Sequence, residues 1–282
     1  MEIGLLIFPT DTTMDPVTLG KEVEARGFES LWFPEHSHIP VSRQTPWGGR
    51  EGAPPLPEEY WRSHEQFTAL AAISSVTSKL KLGTGITLLG QRDPIWTAKQ
   101  AATVDYLSDG RLLFGVGYGW NKEELANHGV RYTDRRARMR ECALTVKALW
   151  TQDEASFSGE FINLEPSWAW PKPKSKPHPP IIMGGTAGPK TAAAIAEYCD
   201  GWMPIGARTL EKGWEEIQRA CEVISRDPAT IQLGIFGAKP VPQELDDLER
   251  RGMARALIAL PQGSADEVMA ALDQYTPLLD RS

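Results

Sequence analysis

Short runs that are apolar at almost every position alternate along the chain with longer segments of helical spacing. The runs cover residues 3–8, 30–35, 80–86, 112–118, 180–185, 201–206, 232–238 and 254–260. Their continuous apolar character, without polar alternation, predicts parallel strands covered on both faces. Between them Met139, Ala143, Val146 and Trp150 recur at i, i+4, i+7 and i+11. Trp214, Ile217, Cys221 and Ile224 repeat such a stripe, as do Val268, Leu272 and Tyr275, which predicts amphipathic helices. Asp15-Pro16 opens the first helix and Gly27 closes it, while Asp93-Pro94 and Asp109-Gly110 frame the third.

Eight strands, each followed by a helical segment, predict a parallel α/β sheet, and eight units predict closure into a (β/α)8 TIM barrel. The barrel is expected to occupy residues 1–282 as one domain. An open doubly wound sheet is the rival, but the first strand lacks the G-x-G-x-x-G turn of a dinucleotide fold and runs from Phe8 into PTDTTMDP. Two stretches break the rhythm. Residues 37–64, after strand two, are rich in proline and glycine and should overhang the C-terminal mouth as a long loop. Residues 155–180, before strand five, read as a hairpin followed by a proline-stiffened tether, an insertion rather than a boundary.

Composition narrows the class. With 41% hydrophobic and 24% charged residues the chain can bury a sizeable core, and a formal charge of −7 argues against a nucleic-acid face. Cys142, Cys199 and Cys221 are scattered, which argues against a disulfide framework or a zinc site. The opening MEIGLLIFPTD is too short and too acidic for a signal peptide or membrane span, so no membrane partner and a cytoplasmic address are expected.

In such barrels chemistry sits where strands end. That rule selects Glu35 and His36, then Thr84, Gly85 and Ile86, then Gly117, Tyr118, Gly119 and Trp120, then Gly184, Gly185 and Thr186, and Ile205-Gly206. Glycines at strand exits mark close backbone approach. Residues 184–189 end a strand in Gly-Gly and open a helix at Gly-Pro, the composition of an anion site at a helix N-terminus. GVGYGW leads likewise into a helix that Asn121 can cap. Either loop alone reads equally well as a tight turn, but both at one mouth point to a phosphate-bearing ligand. His36 stands at a strand exit beneath the long loop, whereas His38, His64, His128 and His178 have weaker claims. No pair of histidines has metal-ligand spacing and no G-x-S-x-G elbow occurs, so no metal is expected and hydrolase chemistry has little support. Trp47, Trp61, Trp120, Trp168 and Trp170 fall in mouth loops or insertions, to line a flat-ring pocket or to pin loops down, whereas Trp150 and Trp214 read as core.

Three segments, in order, resemble the luciferase-like flavin and deazaflavin oxidoreductases: GFESLWFPEH at 27–36, SSVTSKLKLGTGITLLGQRDPIWTAKQAATVDYLSDGRLLFGVGYGWNKEEL at 74–125, and PHPPIIMGGTAGPKTAAAIAEYCDGWMPIG at 177–206. The likeness is greatest to the branch assigned to coenzyme F420. The resemblance implies that His36 lies against the deazaflavin ring as its catalytic partner. It also implies that Gly85-Ile86 is the non-prolyl cis peptide backing the ring, and that Gly117, Tyr118, Gly119, Gly184, Gly185 and Thr186 hold ring substituents and phosphate. Glu35, Thr84 and Trp120 complete the implied cofactor site. The sugar-phosphate dehydrogenases of the family carry an acid where this chain has Trp120, and a tryptophan shortly after the histidine where it has SHIPVS, so sugar-phosphate oxidation is not implied.

The implied function is hydride transfer between F420 and a small organic substrate bound beneath the 37–64 loop, with Arg43, Arg50 and Arg62 near the cofactor's anionic tail. An FMNH2-dependent monooxygenase served by a partner flavin reductase is the first alternative, and a catalytically silent flavin-binding relative the second. A non-redox barrel enzyme would need a base at a strand exit, where only Glu35 qualifies. Barrels of this family often pair through helices, so a homodimer is a further expectation.

Overall fold

The computed structural model describes residues 1–280. Its strands are β1 (Glu2–Leu6), β2 (Ser30–Phe33), β3 (Lys81–Thr84), β4 (Leu112–Val116), the hairpin β5 (Ala155–Ser158) and β6 (Asn163–Ser167), then β7 (Ile181–Gly184), β8 (Gly201–Met203), β9 (Gln232–Ala238) and β10 (Arg255–Ala259). All but the hairpin close into a parallel barrel in the order β1-β10-β9-β8-β7-β4-β3-β2. Each apolar run becomes one barrel strand. The run tails carrying Glu35, Ile86, Tyr118, Gly185 and Gly206 lie past the strand ends and form the exit loops.

The helices are α1 (Pro16–Ala25), α2 (Glu59–Arg62), α3 (Gln66–Ser74), α4 (Pro94–Leu107), α5 (Lys122–Asn127), α6 (Arg135–Thr151), α7 (Pro189–Tyr198), α8 (Leu210–Val223), α9 (Pro242–Arg250) and α10 (Ala265–Tyr275). Asp15 accepts from Thr18 N at 2.9 Å and Asp93 from Trp96 N at 2.8 Å, so both Asp-Pro signals are true N-caps. Ser264 and Glu267 form a capping box on α10. The main core lies between the strands and this helical ring. A smaller cluster fills the barrel itself: Leu6, Trp32, Leu113, Ile182, Met203 and Leu257, with Phe236 against them. Trp32 dominates it, and Gly83 makes the room, since a Cβ there would fall 2.1 Å from the indole.

At the N-terminal end of the barrel, Glu29 is clasped by Arg255 at 2.6 Å and Lys81 at 2.9 Å. Burial alone would raise this carboxyl, but Arg255 above all holds it down at about 2. The hairpin is strapped to the outside of α6, where Glu141 accepts from the backbone N–H groups of Glu160, Phe161 and Ile162 at 2.8–2.9 Å. Trp168 and Trp170 are exposed there on the outer wall, so of the five loop tryptophans these two line no mouth pocket. Trp150 is buried and donates to Ala98 O at 2.9 Å, whereas Trp214 only packs against the rim of the core. All three cysteines are free and buried. No helix among the described residues is long and apolar enough to cross a membrane.

Candidate active site at the barrel mouth

His36 leaves β2 and is buried at 9% exposure, with its Nδ1 2.6 Å from Glu124 Oε2. Glu124 comes from the first turn of α5, which Asn121 caps by accepting from Glu123 N and Glu124 N at 3.2 Å each. Gln91 Nε2 and Ser37 N donate to its other oxygen at 2.9 and 3.1 Å. Burial would push the Glu124 carboxyl up, yet the His36 hydrogen bond and charge, with Gln91 and Ser37, hold it below the usual carboxylate range. An ionised Glu124 makes Nδ1–H the donor, so the imidazole's other nitrogen is left for chemistry. His36 Nε2 makes no hydrogen bond among the described residues.

The long loop closes around this ring. Tyr60 of α2 lies 5.1 Å from His36 between centroids and Trp120 lies 5.6 Å away. Phe8 and Trp47 pack on Tyr60 at 4.7 and 5.8 Å. Glu123, beside Glu124, accepts from Gln44 N and Thr45 N at 3.0 and 3.2 Å, tying the loop to α5. The loop is thus more ordered than its composition suggests, with a 3-10 turn at Trp47–Gly49 and the helix α2.

The floor is set by Ile86. The Gly85–Ile86 peptide is cis. A Cβ on Gly117 would meet Ile86 Cδ1 at 2.5 Å, and one on Gly184 would meet Ile86 Cγ2 at 2.6 Å. These two glycines therefore admit a neighbouring side chain. Gly185 (φ +93°), Gly188 and Gly206 (φ +66°) instead face open space, with nothing within 4 Å of an added Cβ. Gly188 caps α7 without a side-chain acceptor, and Arg136 stands beside it, donating to Thr191 Oγ1 at 2.9 Å and lying 4.1 Å over the Tyr118 ring. Burial pushes the Tyr118 phenol above its usual range. Open backbone, a helix N-terminus and a guanidinium together leave a corner with the polarity an anion requires.

The luciferase-like monooxygenase family model matches residues 9–280. The chain belongs to that family. A Mycobacterium tuberculosis protein of uncharacterised function is 37% identical over 281 residues, covering 99% of each chain. Among solved structures, monooxygenase RslO1 from Streptomyces bottropensis superposes with a TM-score of 0.79 at 19% identity, covering 99% of this chain and 98% of its own. The coenzyme F420-dependent tetrahydromethanopterin reductase from Methanopyrus kandleri gives 0.74 at 16% identity, covering 97% of each. This luciferase-like chain is an oxidoreductase of a family that works with flavins or deazaflavins.

The mouth of this luciferase-like barrel suits such a group. A flat ring would find an apolar floor at Ile86 and an aromatic wall at Trp120 and Tyr60, and a phosphate would find the corner at Gly185, Gly188 and Arg136. Of the residues expected at strand exits, His36 and Trp120 come together, as do Ile86, Gly117 and Gly184. Thr84 Oγ1 donates to Gly115 O at 2.7 Å, and Gly119 adopts φ +74°. Thr186 follows Gly185 in the loop to α7. Both oxygens of Glu35 are engaged: Leu88 N donates to one at 2.7 Å and Arg92 Nε to the other at 2.6 Å, which ties β2 to the β3 loop. Among the loop arginines, Arg62 pairs with Asp11 at 2.9 Å and Arg43 stacks over Trp120 at 5.6 Å, whereas Arg50 is exposed. Glu124, Gln91, Tyr60 and Arg136 were not singled out by sequence reasoning. A glutamate four residues beyond a strand-exit Trp120 is the signal that points to Glu124.

Proposed function

We propose that the protein is an F420-dependent oxidoreductase that transfers hydride between the deazaflavin ring and a small organic substrate, with His36 as its catalytic residue. The observation that carries this reading is the buried His36–Glu124 pair, 2.6 Å across, with Nε2 unengaged beneath the Tyr60–Trp120 wall. Reduction of a carbonyl or activated alkene takes up a hydride and a proton. The deazaflavin supplies the hydride chemistry when bound. His36 delivers the proton from Nε2 in its imidazolium form, with the Glu124 carboxylate as counter-charge on Nδ1–H, and is left as the neutral Nδ1–H imidazole after transfer. The loop carrying Trp47 and Tyr60 excludes water from the acceptor site.

The remaining strand-exit residues fall into two groups under this reading. Thr84, Gly85, Ile86, Gly117 and Trp120 shape the ring site, with Glu35 fixing the β3 loop that carries Ile86. Gly119, Tyr118, Gly185 and Thr186, joined by Arg136, receive the substituents and phosphate, Gly184 makes room for Ile86 as Gly117 does, and Arg43 stands near the anionic tail. The chain works as one barrel domain, and its buried free thiols are in keeping with a cytoplasmic address.

The test replaces His36 by Gln. With reduced F420 and a panel of enones, turnover should fall about 100-fold or more, while F420 affinity stays within a few-fold. Undiminished turnover would remove His36 from the chemistry. If reduced FMN and dioxygen, with an added flavin reductase, support substrate oxygenation where F420 supports nothing, the two-component monooxygenase replaces this reading.

A further inference from the structure

Next to His36, around Ser37, a second set of polar groups converges. Ser37 Oγ lies 2.9 Å from His38 Nδ1, 2.7 Å from His128 Nε2 and 3.3 Å from Glu124 Oε1. Two imidazoles and a carboxylate therefore surround a single point, and their ligating atoms all lie within 4.8 Å of one another. His38 is half-buried and His128 exposed, so the cluster is reached from solvent, while Glu124 forms its buried base. The oxygen facing the cluster is Oε1, whereas Oε2 accepts from His36, so the carboxylate can serve both sides at once. Asn127 Nδ2 donates to His38 Nε2 at 2.9 Å, so a metal on Nδ1 requires the amide to turn and present Oδ1 to an Nε2–H.

We propose that His38, Glu124 and His128 form a site for a divalent transition metal of the zinc class. Two imidazole nitrogens and a carboxylate oxygen are a zinc donor set and a poor one for magnesium or calcium, which prefer oxygen alone. Ser37 Oγ now holds the shared point, so the ion takes its place and the displaced hydroxyl or a water completes a tetrahedron. Binding draws the two histidines inward to metal–nitrogen distances of about 2.0–2.1 Å, displaces the Ser37 hydroxyl's hydrogen bonds and competes with Gln91 for Glu124 Oε1. No local spacing announces the site, because His38 and His128 lie on different loops. The metal draws charge from the carboxylate that holds His36 Nδ1–H, so occupation slows turnover. That consequence rests on the proposed catalytic role of His36, whereas the binding does not.

Calorimetric titration of the whole protein with zinc chloride separates the two. One zinc per chain with affinity in the micromolar range is expected, undiminished by excess magnesium. The double variant His38→Gln, His128→Gln should bind at least about tenfold more weakly, while the exposed control His64→Gln should bind as the parent does. No zinc binding, or equal binding by the double variant, would overturn the site. With an assayable substrate, zinc should slow the parent and spare the double variant, and equal slowing of both would overturn the link to His36. Failure of the chemistry proposed for His36 leaves the calorimetric arm intact, so the two readings fail separately.

Discussion

At the residue scale, the charges that matter are the buried ones. Glu29 is held at about 2 against an ordinary 4.5, so its pairing with Arg255 contributes stability above pH 4.5 that is lost as pH falls towards 2. The shift corresponds to a contribution on the order of 3 kcal/mol. Glu29→Gln leaves the Arg255 guanidinium buried without its counter-charge and should cost about 3–5 kcal/mol in urea unfolding at pH 7. The gap between the two proteins should narrow as pH drops from about 4.5 to about 2, and a pH-independent gap would show that packing, not charge, sets the loss. His36 was legible in the sequence because it ends an apolar run at a position where barrels place chemistry. Glu124 was not, since it sits in the charged stretch NKEE, which reads as a solvated helix face until the 37–64 loop is seen to cover it. Arg136, within RRARMR, was hidden for the same reason.

At the element scale, the strands and their exits follow from the apolar runs, but what the glycines are for does not. Gly117 and Gly184 read as places where backbone approaches a ligand, yet both make way for Ile86. That contact joins three strands and leaves no mark on spacing within any one of them. Gly83 likewise serves Trp32, and Gly83→Ala should destabilise the barrel by about 1–3 kcal/mol, because the new methyl meets a fixed indole from a neighbouring strand. Thermal unfolding checks this, and an unchanged midpoint would mean that Trp32 repacks freely. The anion corner belongs to α7 and α6 together. Arg136→Ala should weaken a phosphate-bearing cofactor about tenfold while a riboflavin-like ring without phosphate is unaffected. Equal weakening of both ligands would place Arg136 at the ring instead. The α2 helix went unforeseen because four residues are too few for a periodic stripe.

At the scale of the whole molecule, barrel closure, the hairpin before β7 and the covered mouth were all visible as rhythm and its interruptions. The class of chemistry was visible too, because the quoted segments resemble the family to which the whole chain then proves to belong. The choice between deazaflavin and flavin was not. Both groups share a flat ring and a phosphate, so the same floor, wall and anion corner serve either. What distinguishes them is the reaction that follows, and the buried His36–Glu124 pair favours the one that consumes a proton with a hydride. The measurement that tests this most directly is a parallel titration of the purified protein with F420 and FMN, each oxidised and reduced, followed by ring fluorescence and by heat. Tight F420 binding with little binding of FMN is the expected result, and a clear preference for reduced FMN, or binding of neither, would contradict it.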